Sequence, residues 1–172
     1  AGGPVLGFAG SRSSITDAQA AAVRGMHRLV LHPDDLLAGG PRRAASVSAV
    51  REVLAQGRDC LVQLSAEPCS EVAALAAASA TFVAEVMAGG SCAGLVVAGG
   101  DTSGAVISAL APAWLDHAGD ICPGVPILGA TIGGRPMLLA LKGGQMGGPD
   151  FFDDALLRMR GSRDGRAICF RQ

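Results

Sequence analysis

The stretch Gly94-Leu-Val-Val-Ala-Gly-Gly-Asp-Thr-Ser-Gly104 decides the fold of this chain. Its apolar half predicts a buried strand at 95–98, and its glycines predict a turn that opens directly into a helix at 102–110. Glycines let the backbone pass close to a ligand, and the N-terminus of a helix favours negative charge. The stretch therefore predicts a phosphate or nucleotide site at the end of a strand in a parallel sheet.

The residues of this turn supply the groups that such a site needs. Gly99 and Gly100 offer backbone N–H groups, while Thr102 and Ser103 offer hydroxyls that can donate to phosphate oxygens. Asp101 offers a carboxylate that can orient a magnesium ion, either directly or through water. We therefore predict that this turn binds phosphate and that Asp101 is the candidate metal-orienting acid.

Short apolar runs alternate with helical patterns before this stretch. The predicted elements are strands at 5–9, 28–32 and 60–64 and helices at 16–26, 33–37, 42–56 and 70–87. The first helix begins with Thr16-Asp-Ala-Gln19, which has the form of a capping box. Alternation on this scale predicts a mainly parallel sheet with helices on both faces, whose ligands bind beyond the carboxyl ends of the strands.

The pattern changes in the last third of the chain. Strand-like runs at 127–132 and 136–141 are separated by Gly133-Gly-Arg135, which predicts an antiparallel hairpin. A last helix is predicted at 151–159, followed by a polar tail at 161–172.

The tail contains a further short strand in this interpretation, at 167–170. The predicted fold class is a single three-layer α/β domain over residues 1–172. It has a mainly parallel sheet, helices on both faces and an antiparallel hairpin near the C-terminus.

The composition excludes several classes of function. The chain has 172 residues, of which 49% are hydrophobic and 17% charged, but no apolar run approaches the ~20 residues of a membrane span. Its formal net charge of -1 shows no excess of basic residues of the kind that nucleic-acid binding uses. We therefore expect a cytoplasmic protein that binds neither membranes nor nucleic acids.

Neither the cysteines nor the histidines form a recognisable motif. The 5 cysteines are scattered, without the close pairs that zinc and redox sites use, and this is typical of reduced thiols. The 3 histidines are dispersed as well. No metal is therefore assigned to either residue type.

A second loop, Gly10-Ser-Arg-Ser-Ser14, follows the first strand and should reach the same edge of the sheet as the central turn. The loop lacks the Gly-x-Gly-x-x-Gly pattern of a dinucleotide fold, and the chain has no Gly-x-x-x-x-Gly-Lys-Ser/Thr run of a P-loop.

A third loop, Lys142-Gly-Gly-Gln-Met-Gly-Gly148, follows the last core strand. Lys142 is the only lysine of the chain, and a compact ammonium suits a nucleotide phosphate. Gly144 and Gly147 let the backbone of this loop approach a ligand closely. Three loops at one edge favour a phosphate site more strongly than any one of them.

Four segments together resemble a known family. They are Gly10-Ser-Arg-Ser-Ser-Ile-Thr-Asp-Ala-Gln19, Val97-Ala-Gly-Gly-Asp-Thr-Ser-Gly104, Pro123-Gly-Val-Pro126 and Leu141-Lys-Gly-Gly-Gln-Met-Gly-Gly-Pro-Asp-Phe-Phe152. Their order and spacing closely resemble the C-terminal nucleotide-binding domain of the four-carbon acid sugar kinases, over nearly the whole chain.

The resemblance implies a kinase that uses ATP and magnesium to phosphorylate threonate, erythronate or their oxo forms. Such kinases have two domains, so this chain would be the ATP half. The general base and the contacts to the sugar acid would come from an absent first domain. By the same resemblance, ATP or ADP is bound by Ser11, Ser13, the turn at 99–103 and the glycines of the Lys142 loop. Gly144 and Gly147 would allow a close approach near the base or ribose. The chain alone is expected to be inactive.

The Lys142 loop departs from the family pattern. The family has Lys-Ser-Gly-Asn-Phe-Gly where this chain has Lys142-Gly-Gly-Gln-Met-Gly147. The departure favours an alternative, a non-catalytic module that senses a nucleotide or another phosphorylated metabolite. A third possibility is an oligomerisation scaffold, suggested by the alanine-rich run at 72–88, and a homo-oligomer is compatible with all three hypotheses.

Overall fold

The computed structural model describes residues 2–165, with side chains described through residue 162. The strands are β1 (Val5–Ala9), β2 (His27–Leu31), β3 (Cys60–Leu64), β4 (Gly94–Ala98), β5 (Leu115–Cys122), β6 (Val125–Ile132) and β7 (Arg135–Lys142). The helices are α1 (Ser14–Ala22), α2 (Pro33–Ala38), α3 (Gly40–Ala55), α4 (Val72–Met87), α5 (Gly100–Leu110) and α6 (Phe151–Gly165).

The strands of residues 2–165 form one seven-stranded sheet with the order β2-β3-β1-β4-β7-β6-β5. The pairs β2–β3, β3–β1, β1–β4 and β4–β7 are parallel, whereas β7–β6 and β6–β5 are antiparallel. The central strands β1 and β4 are buried at every position, as expected for parallel strands covered on both faces. The predicted mainly parallel sheet with an antiparallel hairpin is confirmed.

Alternate residues of β1 point to two separate hydrophobic cores. Leu6 and Phe8 pack with side chains of α2 to α5. Val5 and Ala9 pack instead with side chains of α1 and α6, among them Phe151. Because each face of the sheet has its own helical layer, the predicted three-layer arrangement is confirmed.

The hairpin between β6 and β7 forms as its glycines predict. Ile132 pairs with Arg135, so Gly133 and Gly134 are the two turn residues. Both have positive φ, 56° and 75°, as a type I′ turn requires.

The prediction missed one strand entirely. β5 is an edge strand that is mostly exposed and includes Asp116, Gly119 and Asp120. Its pairing with β6 is interrupted by two register shifts. Only Ile121 of this strand is buried, so β5 lacks the apolar alternation from which the sequence predicts a strand.

Several predicted helix bounds are wrong. The first helix begins at Ser14 rather than 16 and ends at Ala22 rather than 26. The last helix continues to Gly165, so the predicted polar tail begins too early. The predicted strand at 167–170 lies outside the described residues. Among residues 2–165, no helix has the length and hydropathy of a membrane span.

Candidate functional site

Three loops meet at the carboxyl edge of the parallel strands. The backbone N–H groups of Gly10 and Ser11 donate to the Ala98 carbonyl over 2.9 and 2.8 Å. The N–H of Gly99 donates to the Lys142 carbonyl over 2.9 Å. The loops after β1, β4 and β7 are therefore joined by backbone hydrogen bonds, in the arrangement that the parallel order predicts.

Gly99 is one point of close approach between these loops. Its φ of 126° is a conformation that residues with a side chain rarely adopt. A Cβ atom on Gly99 would lie 2.9 Å from the backbone nitrogen of Ser11. The contact between the β1–α1 loop and the β4–α5 turn therefore requires glycine at this position.

A cleft of about 270 Å³ opens beside these loops. One wall is formed by residues 10–12 and another by residues 99–102. A third, apolar wall is formed by Val72, Leu75 and Ala76 in the first turns of α4. The cleft thus combines polar backbone at the sheet edge with an aliphatic surface that the sequence prediction did not assign.

The N-terminus of α5 opens into this cleft. Because the first N–H groups of an α-helix have no intrahelical acceptor, they need another partner. The backbone hydrogen bond from Ser103 to the carbonyl of Gly99 spans 2.8 Å, and Gly99 has no side chain that could cap the earlier N–H groups. The helix dipole adds positive charge at the same point, so the geometry suits an anion.

The predicted ligands of the turn separate into two groups. The cleft is lined by Gly99, Gly100, Asp101 and Thr102, and also by Ser11. Ser103 does not line the cleft, and it is buried with 8% of its surface exposed, as Thr102 is with 6%. The Oγ of Ser103 has no hydrogen-bond partner among the described residues.

Lys142 lies inside the protein, with only 1% of its surface exposed. Its Nζ donates to Thr16 Oγ1 at 3.2 Å and to the carbonyls of Gly143 and Gly144 at 3.0 and 3.2 Å. Burial lowers the pKa of Lys142 from its ordinary value. The phosphate contact of Lys142 stays a prediction, and in this conformation the ammonium holds its own loop together.

Polar side chains of α1 hold the same loop from the other side. Ser13 Oγ and Thr16 Oγ1 lie 2.9 and 3.1 Å from the Gly144 carbonyl oxygen. Gln19 Nε2 lies 3.0, 3.0 and 2.8 Å from the carbonyl oxygens of Met146, Gly147 and Gly148. Residues three apart share a helix face, so the spacing of these three side chains was the available signal.

The interpretation of Thr16 and Gln19 as a capping box is therefore wrong. Ser13 is the N-cap of α1, and its Oγ accepts a hydrogen bond from the Thr16 N–H over 3.2 Å. Thr16 lies within the helix rather than at its start. Gln19 does not reach back to the helix start, because its amide is committed to the glycine loop.

Gly144 and Gly147 do allow close approaches, and the protein itself fills both spaces. A Cβ on Gly144 would lie 2.7 Å from Ser11 Oγ. A Cβ on Gly147, whose φ is 83°, would lie 2.5 Å from Cδ2 of Phe151. Their contacts with a base or ribose stay predictions, whereas their packing against Ser11 and α6 is observed.

The structure adds Arg12 to the candidate site, a residue that the sequence prediction did not assign. Its side chain lines the cleft and donates from Nη1 to the Glu67 carbonyl at 2.8 Å and from Nη2 to the Cys69 carbonyl at 3.2 Å. These carbonyls belong to residues 65–71, which we call the β3–α4 loop. The sequence pattern does not indicate these contacts, because the acceptors are backbone carbonyls more than fifty residues away.

A second contact holds the same loop. His32 Nδ1 lies 3.0 Å from Glu67 Oε1. The hydrogen bond to Glu67 and its negative charge raise the pKa of His32 from its ordinary value. Glu67 is thus held by its carbonyl to Arg12 and by its carboxylate to His32.

We expect Gln19→Leu to loosen the Lys142 loop and to destabilise the fold. The substitution keeps the side-chain volume but removes the donor shared by three part-buried carbonyls, and the loss of one such hydrogen bond costs about 0.5–1.5 kcal/mol. Urea denaturation and hydrogen exchange of residues 143–148 measure the two effects.

Gln145→Leu is the matched control, because Gln145 lies in the same loop with an exposed side chain. It should leave both measurements unchanged. Equal protection of residues 143–148 in Gln19→Leu and the native chain would show that Gln19 does not anchor the loop.

The fold and site geometry define an α/β domain whose glycine turn and uncapped helix face a cleft, an arrangement typical of phosphate-binding domains. Residues 6–152 match the family model of the nucleotide-binding C-terminal domain. The chain belongs to this family.

Several curated relatives are named 3-oxo-tetronate kinase. The chain is 38% identical over 173 residues to the one from Cupriavidus necator and 39% identical over 167 residues to the one from Methylobacterium radiotolerans. These alignments cover 92% and 90% of this chain but 39% of each relative. The chain therefore spans about two-fifths of the length of the kinases that it matches.

Solved structures share the fold. A Bordetella bronchiseptica protein with a domain of unknown function, crystallised with citrate as a domain-swapped dimer, aligns with a TM-score of 0.79 at 23% identity. A Haemophilus influenzae protein aligns with a TM-score of 0.75 at 22% identity. Each alignment covers 92% of this chain, and 41% and 40% of the respective neighbour.

Proposed function

We propose that this chain is the nucleotide-binding part of a kinase that transfers the terminal phosphoryl group of ATP to a four-carbon sugar acid of the 3-oxo-tetronate type. The uncapped N-terminus of α5, open to the cleft, is the observation that carries this proposal. The relatives named 3-oxo-tetronate kinase support the reaction and the substrate class.

The phosphates would bind at the first turn of α5. The backbone N–H groups of residues 100–102 would donate to phosphate oxygens. Thr102 and Ser11 line the same cleft, and their hydroxyls would donate as well. Charge-assisted bonds of this kind are stronger than neutral ones. Phosphoryl transfer depends mainly on positioning and on charge stabilisation, which such a cradle provides.

Ser13, Ser103 and Lys142 would contribute less directly. Ser13 and Lys142 hold the glycine loop behind the cleft. The Ser103 hydroxyl has no partner among residues 2–165, so it is free to donate if a phosphate is placed near it. Their direct phosphate contacts are part of the proposal.

Asp101 would orient magnesium that binds together with the nucleotide. Its exposed carboxylate lies in the first turn of α5 and lines the cleft. Nucleotide-bound magnesium uses one or two carboxylates together with phosphate oxygens and waters, which this donor set fits. Magnesium bound there would neutralise charge on the phosphates.

The apolar wall of α4 offers a place for the adenine base. Val72 is 50% exposed although it is a large aliphatic residue, and Leu75 and Ala76 continue the same surface. Aliphatic packing would replace aromatic stacking in a chain that is 3% aromatic. ADP would occupy the same wall after transfer.

The general base and the contacts to the sugar acid would be supplied by a part of a longer protein outside this chain. The curated relatives are about two and a half times as long as the segment that they share with it. We therefore expect nucleotide binding by the chain alone, without turnover.

A second candidate function is a non-catalytic sensor of a nucleotide or another phosphorylated metabolite. The burial of Lys142 favours it, since the ammonium is committed to Thr16 and to carbonyls of its own loop. A sensor would bind phosphate at α5 but would support no transfer.

A chimera separates kinase from sensor. The matching segment of the Cupriavidus necator kinase is replaced by this chain, and ATP consumption is measured with a panel of four-carbon acids. Acid-dependent consumption, lost on Gly100→Val, supports the kinase. Nucleotide binding by the chimera without consumption favours the sensor.

We expect Asp101→Asn to remove the gain in ATP affinity that magnesium provides, because the carboxylate that orients the ion is lost. Metal-free ATP binding should persist, since the backbone N–H groups are unchanged. Calorimetric titration with and without magnesium measures both quantities.

Asp154→Asn is the matched control, because Asp154 is an exposed acid in the first turn of α6. It should leave the magnesium-dependent gain in ATP affinity unchanged. An undiminished gain in Asp101→Asn would remove Asp101 from the proposed metal site.

A further inference from the structure

We propose that Arg12 is a positioning residue that links the nucleotide phosphates to the β3–α4 loop, so that phosphate binding holds this loop in place. The inference rests on the proposed function, because it concerns the same cleft. Arg12 would contact a phosphate oxygen and hold the β3–α4 loop at the same time.

Arg12 is the only cationic side chain among the described residues that line the cleft. Lys142, the cation that the sequence favoured, is 1% exposed and directed at Thr16 and its own loop. Asp101 adds a negative charge to the lining of the same cleft. A polyphosphate in this cleft would therefore depend on Arg12 for side-chain charge.

The guanidinium has enough donors for both tasks. It carries five N–H groups in a fixed planar fork. One from Nη1 and one from Nη2 bind the carbonyls of Glu67 and Cys69. The other N–H groups remain for phosphate oxygens, so Arg12 can bind a phosphate without releasing the loop.

Movement of the β3–α4 loop would change the cleft itself. The loop runs directly into α4, whose Val72, Leu75 and Ala76 form the apolar wall. Arg12 and His32 hold the loop through the same residue, Glu67. A phosphate bound by Arg12 would thus connect the polar end of the nucleotide to the wall proposed for its base.

Cys69 provides a reporter within the loop. It is a free, half-buried cysteine whose carbonyl accepts from Arg12. Cys60 is an internal standard, because it is buried and burial raises the pKa of its thiol to about 12. Alkylation of each thiol can be followed separately by peptide mass mapping.

The test compares Arg12→Ala and Arg12→Lys with the native chain, with Arg42→Ala as the control. Arg42 is an exposed arginine that pairs with Asp35 on the surface, so its loss changes the net charge equally. Each protein is titrated with ATP and with tripolyphosphate, and Cys69 alkylation is measured without ligand and at saturating ATP.

In the native chain and Arg42→Ala, we expect ATP to slow Cys69 alkylation. Arg12→Ala should bind ATP about tenfold more weakly or worse, since it loses charge-assisted hydrogen bonds. It should also show faster alkylation without ligand and no protection at saturating ATP. Arg12→Lys should recover part of the affinity but not the protection, because an ammonium lacks the planar fork.

Two results would overturn this inference and leave the proposed function untouched. The first is equal ATP affinity in Arg12→Ala and the native chain. The second is undiminished Cys69 protection in Arg12→Ala at saturating ATP, which would mean that the ligand covers Cys69 directly. Failure of the native chain to bind either ATP or tripolyphosphate would instead overturn the proposed function, and this inference with it.

Discussion

Gly100→Val should abolish nucleotide binding and leave the fold intact. Gly100 lines the cleft at the start of α5, and a Cβ there would meet nothing within 4 Å. The side chain therefore fits the protein but projects into the space where phosphate would approach the helix N–H groups. Loss of those contacts should weaken ATP binding by about 100-fold or more.

Calorimetry and thermal unfolding test this prediction together. Gly104→Val is the matched control, because Gly104 lies one turn further along α5, is exposed, and also has open space around its Cβ position. It should bind ATP as the native chain does. Native affinity in Gly100→Val would place the phosphates away from α5 and refute the proposed site.

Gly99→Ala should damage both stability and binding. Its φ of 126° costs a residue with a side chain about 1–3 kcal/mol, and the new Cβ would lie 2.9 Å from the Ser11 nitrogen. At roughly 2–4 °C per kcal/mol for a domain of this size, the strain alone predicts a measurable fall in melting temperature. Displacement of the β1–α1 loop should also reduce ATP affinity.

Gly57→Ala is the control that separates the effect of backbone strain from an effect on the nucleotide site. Gly57 has a φ of 75° after α3, and a Cβ there would meet nothing within 4 Å. It should lower the melting temperature but preserve ATP affinity. If Gly99→Ala bound ATP as tightly as Gly57→Ala does, the close approach at Gly99 would have no part in the site.

The sheet was predictable where burial imposed a pattern. β1 and β4 are buried along their whole length, and their continuous apolar runs identified them. β5 is mostly exposed, so no burial pattern distinguishes it from a loop. The start of α1 was misplaced because Thr16 and Gln19 fit a local cap but instead bind a loop that is distant in sequence.

The candidate site was predictable in its backbone and less so in its side chains. The turn at 99–102 lines the cleft as expected, because glycines and a helix start are local signals. The burial of Lys142 and the loop contacts of Arg12 depend on carbonyl acceptors. Any residue can supply a carbonyl, so such partners cannot be identified from residue types.

The most direct test of the central claim is calorimetric titration of the chain with ATP and ADP, each with and without magnesium, with NAD as the control ligand. We predict that both adenine nucleotides bind, that magnesium strengthens ATP binding, and that NAD gives no heat. Absence of ATP and ADP binding, in the chain and in the chimera with the Cupriavidus necator kinase, would contradict the account.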